Sequence, residues 1–267
     1  MRFTVDHDIH IHSMLSSCSR DPEQSAERIL RYAEADGLRE ICITDHLWDS
    51  EVKGASGWYA PQDIAHVSEI RPLPERDGIR FYFGCETELD RNMRVALTRE
   101  HFDLFDFVII PTTHLHMRGL TVSEADAELD SRRAELWVER LDAVLDADLP
   151  HHKIGIAHLA CSLLNNTYEG GHIAVLDMIP DSEMERVFKK AAARGCGIEL
   201  NRYDMEFGDG EADSILRPFR IAKACGCKFY LGGDAHHPSS FDNSKAVFER
   251  AVELLGLTED DKFRIGE

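Results

Sequence analysis

Asp8-Ile9-His10-Ile11-His12 alternates polar and apolar residues with period two. Alternation of that kind marks a β-strand, with Asp8, His10 and His12 on one face and Ile9 and Ile11 on the other. A lone histidine is most simply a satisfied core or surface residue. Three metal-competent side chains on one strand face are hard to explain as packing, because imidazole and carboxylate are the usual ligands of zinc, iron and manganese. The stretch therefore predicts a strand that opens a metal site.

Working outward, short apolar runs alternate with helical stretches. Strands are predicted over Val5–His12, Glu40–Thr44, Ile79–Glu86, Asp106–Thr112, Lys153–His158, Cys196–Leu200 and Cys227–Leu231. Between the first two, Asp21-Pro22 reads as a helix start. Ala26, Ile29, Leu30 and Ala33 then recur at helical spacing, and Gly37 closes the helix. Further helices are predicted at Pro61–Ile70, Arg91–Glu100, Val122–Ala147, Ala174–Met178, Ser182–Arg194, Ala212–Ala224 and Asn243–Leu255. Strands alternating with helices mean a parallel sheet. Seven such units in 267 residues suggest a closed TIM-like barrel, an open doubly wound sheet being the alternative. With no linker, repeat or low-complexity tract, residues 1–267 read as one domain. Ser50–Gly57 and Tyr203–Glu211 are loop-like insertions after strand ends, placed to form walls of a pocket.

Composition narrows the function classes. Hydrophobic residues make up 43% and charged residues 30% of the chain, as in a globular protein. No apolar run approaches the ~18 residues that span a bilayer. Met1–His7 carries no apolar segment of signal-peptide type, so the cytoplasm is the expected location. A formal net charge of -19 repels phosphate backbones, so no nucleic-acid partner and no membrane partner is expected. The seven cysteines contain no CxxC pair and read as free thiols, several of them small core residues.

In a parallel barrel the active site lies at the C-terminal ends of the strands. Each predicted strand delivers ligand-type side chains there: His10 and His12; Asp45 and His46; Glu86 and Glu88; His114 and His116; His158; Glu199 and Asn201; Asp234, His236 and His237. Chance placement would scatter them. His7, His66, His101, His151, His152 and His172 fall outside this set and read as exposed or structural.

Asp8-x-His10-x-His12-Ser13, Thr44-Asp45-His46, Gly84-x-Glu86, His114, His158 and Gly233-Asp234-Ala235-His236 together resemble the PHP (polymerase and histidinol phosphatase) superfamily. The resemblance runs from residue 8 to 237 with its motifs in the family's order. It implies a distorted seven-stranded (β/α)7 barrel holding two or three divalent metal ions, zinc, manganese or iron, and hydrolysis of a small phosphomonoester by a metal-bound hydroxide. Histidinol phosphatase is one candidate. On the family pattern His10, His12, Glu86 and Asp234 hold one ion, and Glu86 bridges to a second held by His114 and His158. His46 and His236 hold a third with one more ligand. At that last position the family has histidine or aspartate, and here Cys18 falls closest, with Asp21 nearby. His116 is the alternative to His114. Asp8 and Asp45 read as carboxylates that orient ligand histidines.

The chemistry wants this arrangement because a phosphomonoester is doubly negative and repels an anionic nucleophile. Divalent ions neutralise its oxygens and lower the pKa of a bound water toward ~7. Arginine is the usual fork for the remaining phosphate oxygens, so Arg20 and Arg202 are candidates to bind substrate. Glu199 and Asn201 alternate on their strand and face the pocket on this reading, and His237 is a candidate proton donor to the leaving group. The alternative is a metal-dependent amidohydrolase or deaminase on a similar barrel. Such proteins usually carry a bridging lysine, and Lys153 starts its strand rather than ending it. A non-enzymatic accessory or interaction domain is a third reading, against which the near-complete ligand set argues.

Overall fold

The computed structural model describes residues 1–208 and 210–266. Among these, eight strands form one sheet: β1 (His7–Ile11), β2 (Glu40–Ile43), β3 (His46–Leu47), β4 (Arg80–Thr87), β5 (Phe107–Pro111), β6 (Ile154–Ala157), β7 (Gly197–Asn201) and β8 (Lys228–Gly232). Every paired strand runs parallel. The order is β1-β2-β4-β5-β6-β7-β8, with the two-residue β3 pairing β4 beyond the end of β2. The first and last strands meet: Asp234 N donates to the His10 carbonyl (2.7 Å) and His12 N to that of Ala235 (3.1 Å). The result is the expected TIM-like barrel, nearly closed. All seven predicted strands are present, and β3 is the added one.

Helices cover the outside: α1 (Ala26–Asp36), α2 (Ile64–Val67), α3 (Asp130–Asp146), α4 (Gly171–Met178), α5 (Asp181–Arg194), α6 (Arg202–Met205), α7 (Ala212–Ala224) and α8 (Ser244–Leu255). Three helix predictions need correction, the first being Val122–Ala147, whose helix starts only at Asp130 after a 3-10 turn at Asp126–Glu128. α1 starts at Ala26 because Ser25, not Asp21, is its cap, accepting from Arg28 N. Asp21 instead accepts from Glu23 N in a local turn. The helix predicted at Arg91–Glu100 does not form. The Asp90 carboxylate takes the Asn92 and Arg94 backbone N–H groups (2.8 and 2.9 Å), offering that backbone an alternative to helical bonds. No helix among the described residues is long and apolar enough to cross a membrane.

The lower barrel is filled by Ile9, Cys42, Tyr82, Phe107, Ile109, Ala157, Tyr230 and Phe263. Room for Phe107, Tyr230 and Phe263 comes from Gly155 and Gly197, where any Cβ would collide with these rings. An apolar plug thus forms the floor on which the polar strand ends sit.

α3 buries two arginines seven residues apart, hence on one face. Arg133 donates to the Leu115, Leu164 and Ala127 carbonyls. Arg140 donates to the Thr112, Thr121 and Leu89 carbonyls (2.7–2.8 Å) and lies 3.9 Å from Glu88. These guanidiniums satisfy loop carbonyls that no ladder could reach, and so hold the loops after β4, β5 and β6. Arg140→Ala should lower the unfolding free energy by about 3–5 kcal/mol, the usual cost of leaving a buried charge without its partner. Chemical denaturation measures it; a loss within 1 kcal/mol, the worth of an ordinary surface pair, would deny the loops this anchor.

Candidate metal centre

Every residue of the convergent set leaves the C-terminal end of a strand. β3 sets His46 directly opposite Glu86 in the ladder, which brings His46 Nδ1 to 2.9 Å from Glu86 Oε2. The same oxygen lies 3.4 Å from His12 Nε2 and 3.7 Å from His10 Nε2. The other oxygen, Oε1, lies 3.1 Å from His158 Nε2. Asp234 Oδ1 is 3.5 Å from His10 Nε2 and 3.3 Å from His12 Nε2. Among the described residues, three groups of ligand atoms, each within 4.8 Å of one another, could hold a metal ion: His10, His12 and Asp234; Glu86, His114 and His158; and His12, His46 and His236. His114 rather than His116 belongs to them.

The hydrogen bonds on the far side of each ring set the tautomers. His10 Nδ1 meets Glu199 Oε1 at 2.5 Å, and His114 Nδ1 meets Glu88 Oε2 at 2.8 Å. Ser16 Oγ donates to Asp45 (2.7 Å), so it accepts from His12 Nδ1 (2.9 Å). His236 Nδ1 donates to the Asp234 carbonyl (2.8 Å). With Nδ1 donating, a neutral ring keeps its Nε2 lone pair for a cation. His10 Nε2 and His12 Nε2 nonetheless face each other at 3.2 Å, beside two carboxylates. His46 Nδ1 makes no hydrogen bond of acceptable geometry despite its closeness to Glu86. Convergent lone pairs and anions without protons between them are the donor set of a cation, and the residues fit divalent ions.

Electrostatics follow. Burial opposes ionisation of Glu86, yet the imidazoles of His46, His10, His12 and His158 around it hold it well below the ordinary carboxylate range. Asp234 is likewise held down against burial by His10, His12 and His236. His236 is pushed down to about 3 by burial and by His12 and His46.

The backbone shows strain here as well. His158 (φ 36°) and Asp234 (φ 49°) adopt left-handed backbone, at a cost of roughly 1–3 kcal/mol each that persists only where the surroundings over-determine it. Glycines make close approach possible beside them. A Cβ at Gly232 would collide with Glu199, and one at Gly233 would sit 2.4 Å from Asp8 Oδ2.

Several expected roles change. Asp8 orients no ligand ring; it accepts from Gly233 N (2.8 Å), Tyr32 Oη (3.0 Å) and His10 N (3.4 Å), tying β1 to the end of β8. Asp45 reaches a ligand ring through Ser16, which accepts from His12, and it also accepts from Ser13 N and Oγ (2.7 and 2.6 Å). The carboxylates that hold ligand rings are Glu199 and Glu88. Both were visible as acids spaced by two on strands that end in the site, and only their partners were unknown. Asn201 donates to Asp234 Oδ2 (3.3 Å) and Glu199 Oε2 (3.2 Å), so its amide is engaged with the cluster. Arg202 donates to Glu206 (2.9 Å) and Arg20 to the Ser17 carbonyl (3.4 Å). His237 pairs with Asp21 at 2.9 Å. Arg20, Arg202 and His237 do not line the cavity over the cluster. That cavity, of about 270 Å³, is bounded by Cys18, Trp58, Tyr59, His116, Met117 and Leu163 together with the ligand residues. At Cys18, desolvation and then Glu86 push the thiol up to about 12. A larger cleft of about 640 Å³ lies on the outside, against α3 and α5. Among the described residues, no group of metal-competent side chains lies in it.

Fold and site together define a TIM-like barrel with groups at one mouth that could hold metal ions. Among solved structures the chain resembles a histidinol phosphate phosphatase from Lactococcus lactis subsp. lactis, whose structure contains zinc, L-histidinol and phosphate. Identity is 18% over 97% of this chain and 98% of that one, with a TM-score of 0.66. It also resembles a Listeria monocytogenes chain proposed to be a histidinol phosphatase, with 13% identity, coverage of 91% and 100%, and a TM-score of 0.61. At these identities the likeness establishes a shared fold. No protein-family model and no curated protein sequence matches the chain.

Glu199→Gln should weaken metal binding by about 10–100-fold, the usual effect of losing an acceptor behind a ligand imidazole. Competition against a chromophoric chelator reads the affinity directly. An unchanged affinity would remove Glu199 from this role.

Proposed function

We propose that the chain is a metal-dependent phosphomonoesterase acting on a small phosphorylated metabolite, with histidinol phosphate as the first candidate. The observation that carries the reading is Glu86, whose two oxygens face two separate sets of imidazoles. The shared barrel supports it, since the Lactococcus protein of that fold holds zinc, L-histidinol and phosphate. His10, His12 and Asp234 would hold one ion, and His114 and His158 a second, with Glu86 between them. His46 and His236 would share a third with His12; Cys18 belongs to none of the three groups but lines the cavity beside them and would be the added ligand. Zinc, manganese and iron all suit this set.

When bound, such ions neutralise phosphate oxygens, bring the pKa of a coordinated water toward ~7 and clamp both sides of an in-line displacement. The chain's own contribution is placement. Glu199 fixes His10, and Asn201 ties Asp234 to Glu199. Glu88 fixes His114 and also accepts from Tyr59 Oη (2.9 Å). None of the residues lining the cavity is a lysine or arginine, so the histidines and the ions carry the whole burden of opposing phosphate charge. The absence of a lysine from that lining weighs against the amidohydrolase reading, in which a lysine usually bridges the metals. Lys153 donates to the Phe102 carbonyl (3.3 Å), at the start of β6.

The direct test is phosphate release from L-histidinol phosphate by manganese- or zinc-loaded protein, with a chelated sample as control. Loaded protein should release phosphate and chelated protein should not. Glu86→Ala should abolish turnover while circular dichroism stays native. Turnover near that of the unaltered protein would refute the bridging role, and no release from any phosphomonoester would refute the reading. Cys18→Ser should lower the bound metal count or the affinity of the weakest site. An unchanged count and affinity would return Cys18 to the cavity wall.

A further inference from the structure

Resting on the phosphatase reading, we infer that Trp58, Met117 and Leu163 form a leaving-group subsite, with His116 as its single polar contact, and that it selects a flat, apolar or heteroaromatic alcohol. The cavity has two unlike halves. Its floor is the ligand cluster, and its remaining wall is Trp58, Tyr59, Met117 and Leu163, with His116 and Cys18. A phosphate directed at the floor places its alcohol against that wall.

The wall's chemistry excludes most common phosphomonoesters. A sugar needs a polar partner for each buried hydroxyl. Tyr59 Oη is engaged with Glu88, and a thiol such as Cys18 is a weak donor. His116 remains; it lines the cavity and is only partly buried, so the wall offers one good hydrogen bond to an alcohol. With no lysine or arginine in the lining and a net charge of -19, a second anionic group on the substrate would go unbalanced. At about 270 Å³ the cavity falls just below the ~300–1,000 Å³ usual for small-molecule pockets. An apolar cavity of about 150 Å³ already accepts benzene, so one ring and its side arm fit.

Trp58 is the principal surface of this subsite. It is 39% exposed and lines the cavity, so part of its ring is left uncovered for a ligand. Edge-on contacts to Tyr59 (4.6 Å) and His46 (5.2 Å) fix its ring beside the metal cluster. The other two tryptophans, Trp48 and Trp137, are buried.

The test compares 2-phenylethyl phosphate, glycerol 3-phosphate and glucose 6-phosphate as substrates of the metal-loaded protein. The phenylethyl ester should have the highest kcat/KM. Trp58→Ala should lower its kcat/KM about three- to tenfold, the worth of one aromatic contact, and lower that of the glycerol ester less. Equal turnover of the phenylethyl and sugar esters, or equal losses in the variant, would overturn the subsite. A second readout needs no catalysis: 2-phenylethanol should change tryptophan emission saturably, glycerol should not, and Trp58→Phe should remove the change. Saturable emission change with no ester hydrolysed would sink the phosphatase reading and keep the apolar wall. No emission change would sink the wall even if esters are hydrolysed.

Discussion

Glu86 turns one carboxylate oxygen toward His46 and His12 and the other toward His158, at 2.9, 3.4 and 3.1 Å. A buried carboxylate surrounded by imidazole nitrogens is stable only if protons or cations lie between them. The rest of the site follows from that constraint. β4 must sit inside the sheet so that Glu86 is reached from both sides, and it does, between β2 with β3 on one flank and β5 on the other. The two-residue β3 exists in register with Glu86 and its neighbour, which is how His46 reaches the same oxygen as His12.

A second layer of polar groups keeps those rings from drifting. Glu199 joins three parts of the centre: it meets the His10 ring, accepts from His158 N (2.7 Å) and accepts from the Asn201 amide. Glu88 joins the His114 ring to Tyr59, and Arg140 lies behind it at 3.9 Å. Such groups hold a site near its working geometry before anything binds, which is what a preorganised centre requires. The left-handed backbone at His158 and Asp234 is the cost of placing two donors where the strands end.

Sequence periodicity revealed the strands because each is a short apolar run closed by polar residues, and a parallel barrel buries both faces of such runs. The ligand positions were legible for the same reason: His10, Glu86, His114, His158 and Asp234 all stand where an apolar run stops. What periodicity does not carry is the partner across the barrel. Asp8 and Asp45 were the obvious candidates to hold histidines, being adjacent in sequence. The actual holders, Glu199 and Glu88, lie 189 and 26 residues from their rings, and only the closed sheet brings them there. The false helix at Arg91–Glu100 has a local cause, since one Asp90 carboxylate outcompetes a helical turn. Trp58 lies one residue past the Ser50–Gly57 stretch read as a pocket wall, and a loop's composition gives no sign of which ring it presents.

On the proposed reading Glu86 would lie between two cations. Anomalous diffraction from crystals grown with zinc reads it most directly. The proposed site predicts one anomalous peak on each side of the Glu86 carboxylate, the first among His10, His12 and Asp234 and the second between His114 and His158, with a third among His12, His46 and His236. A single peak touching one carboxylate oxygen, or none at all, would contradict it.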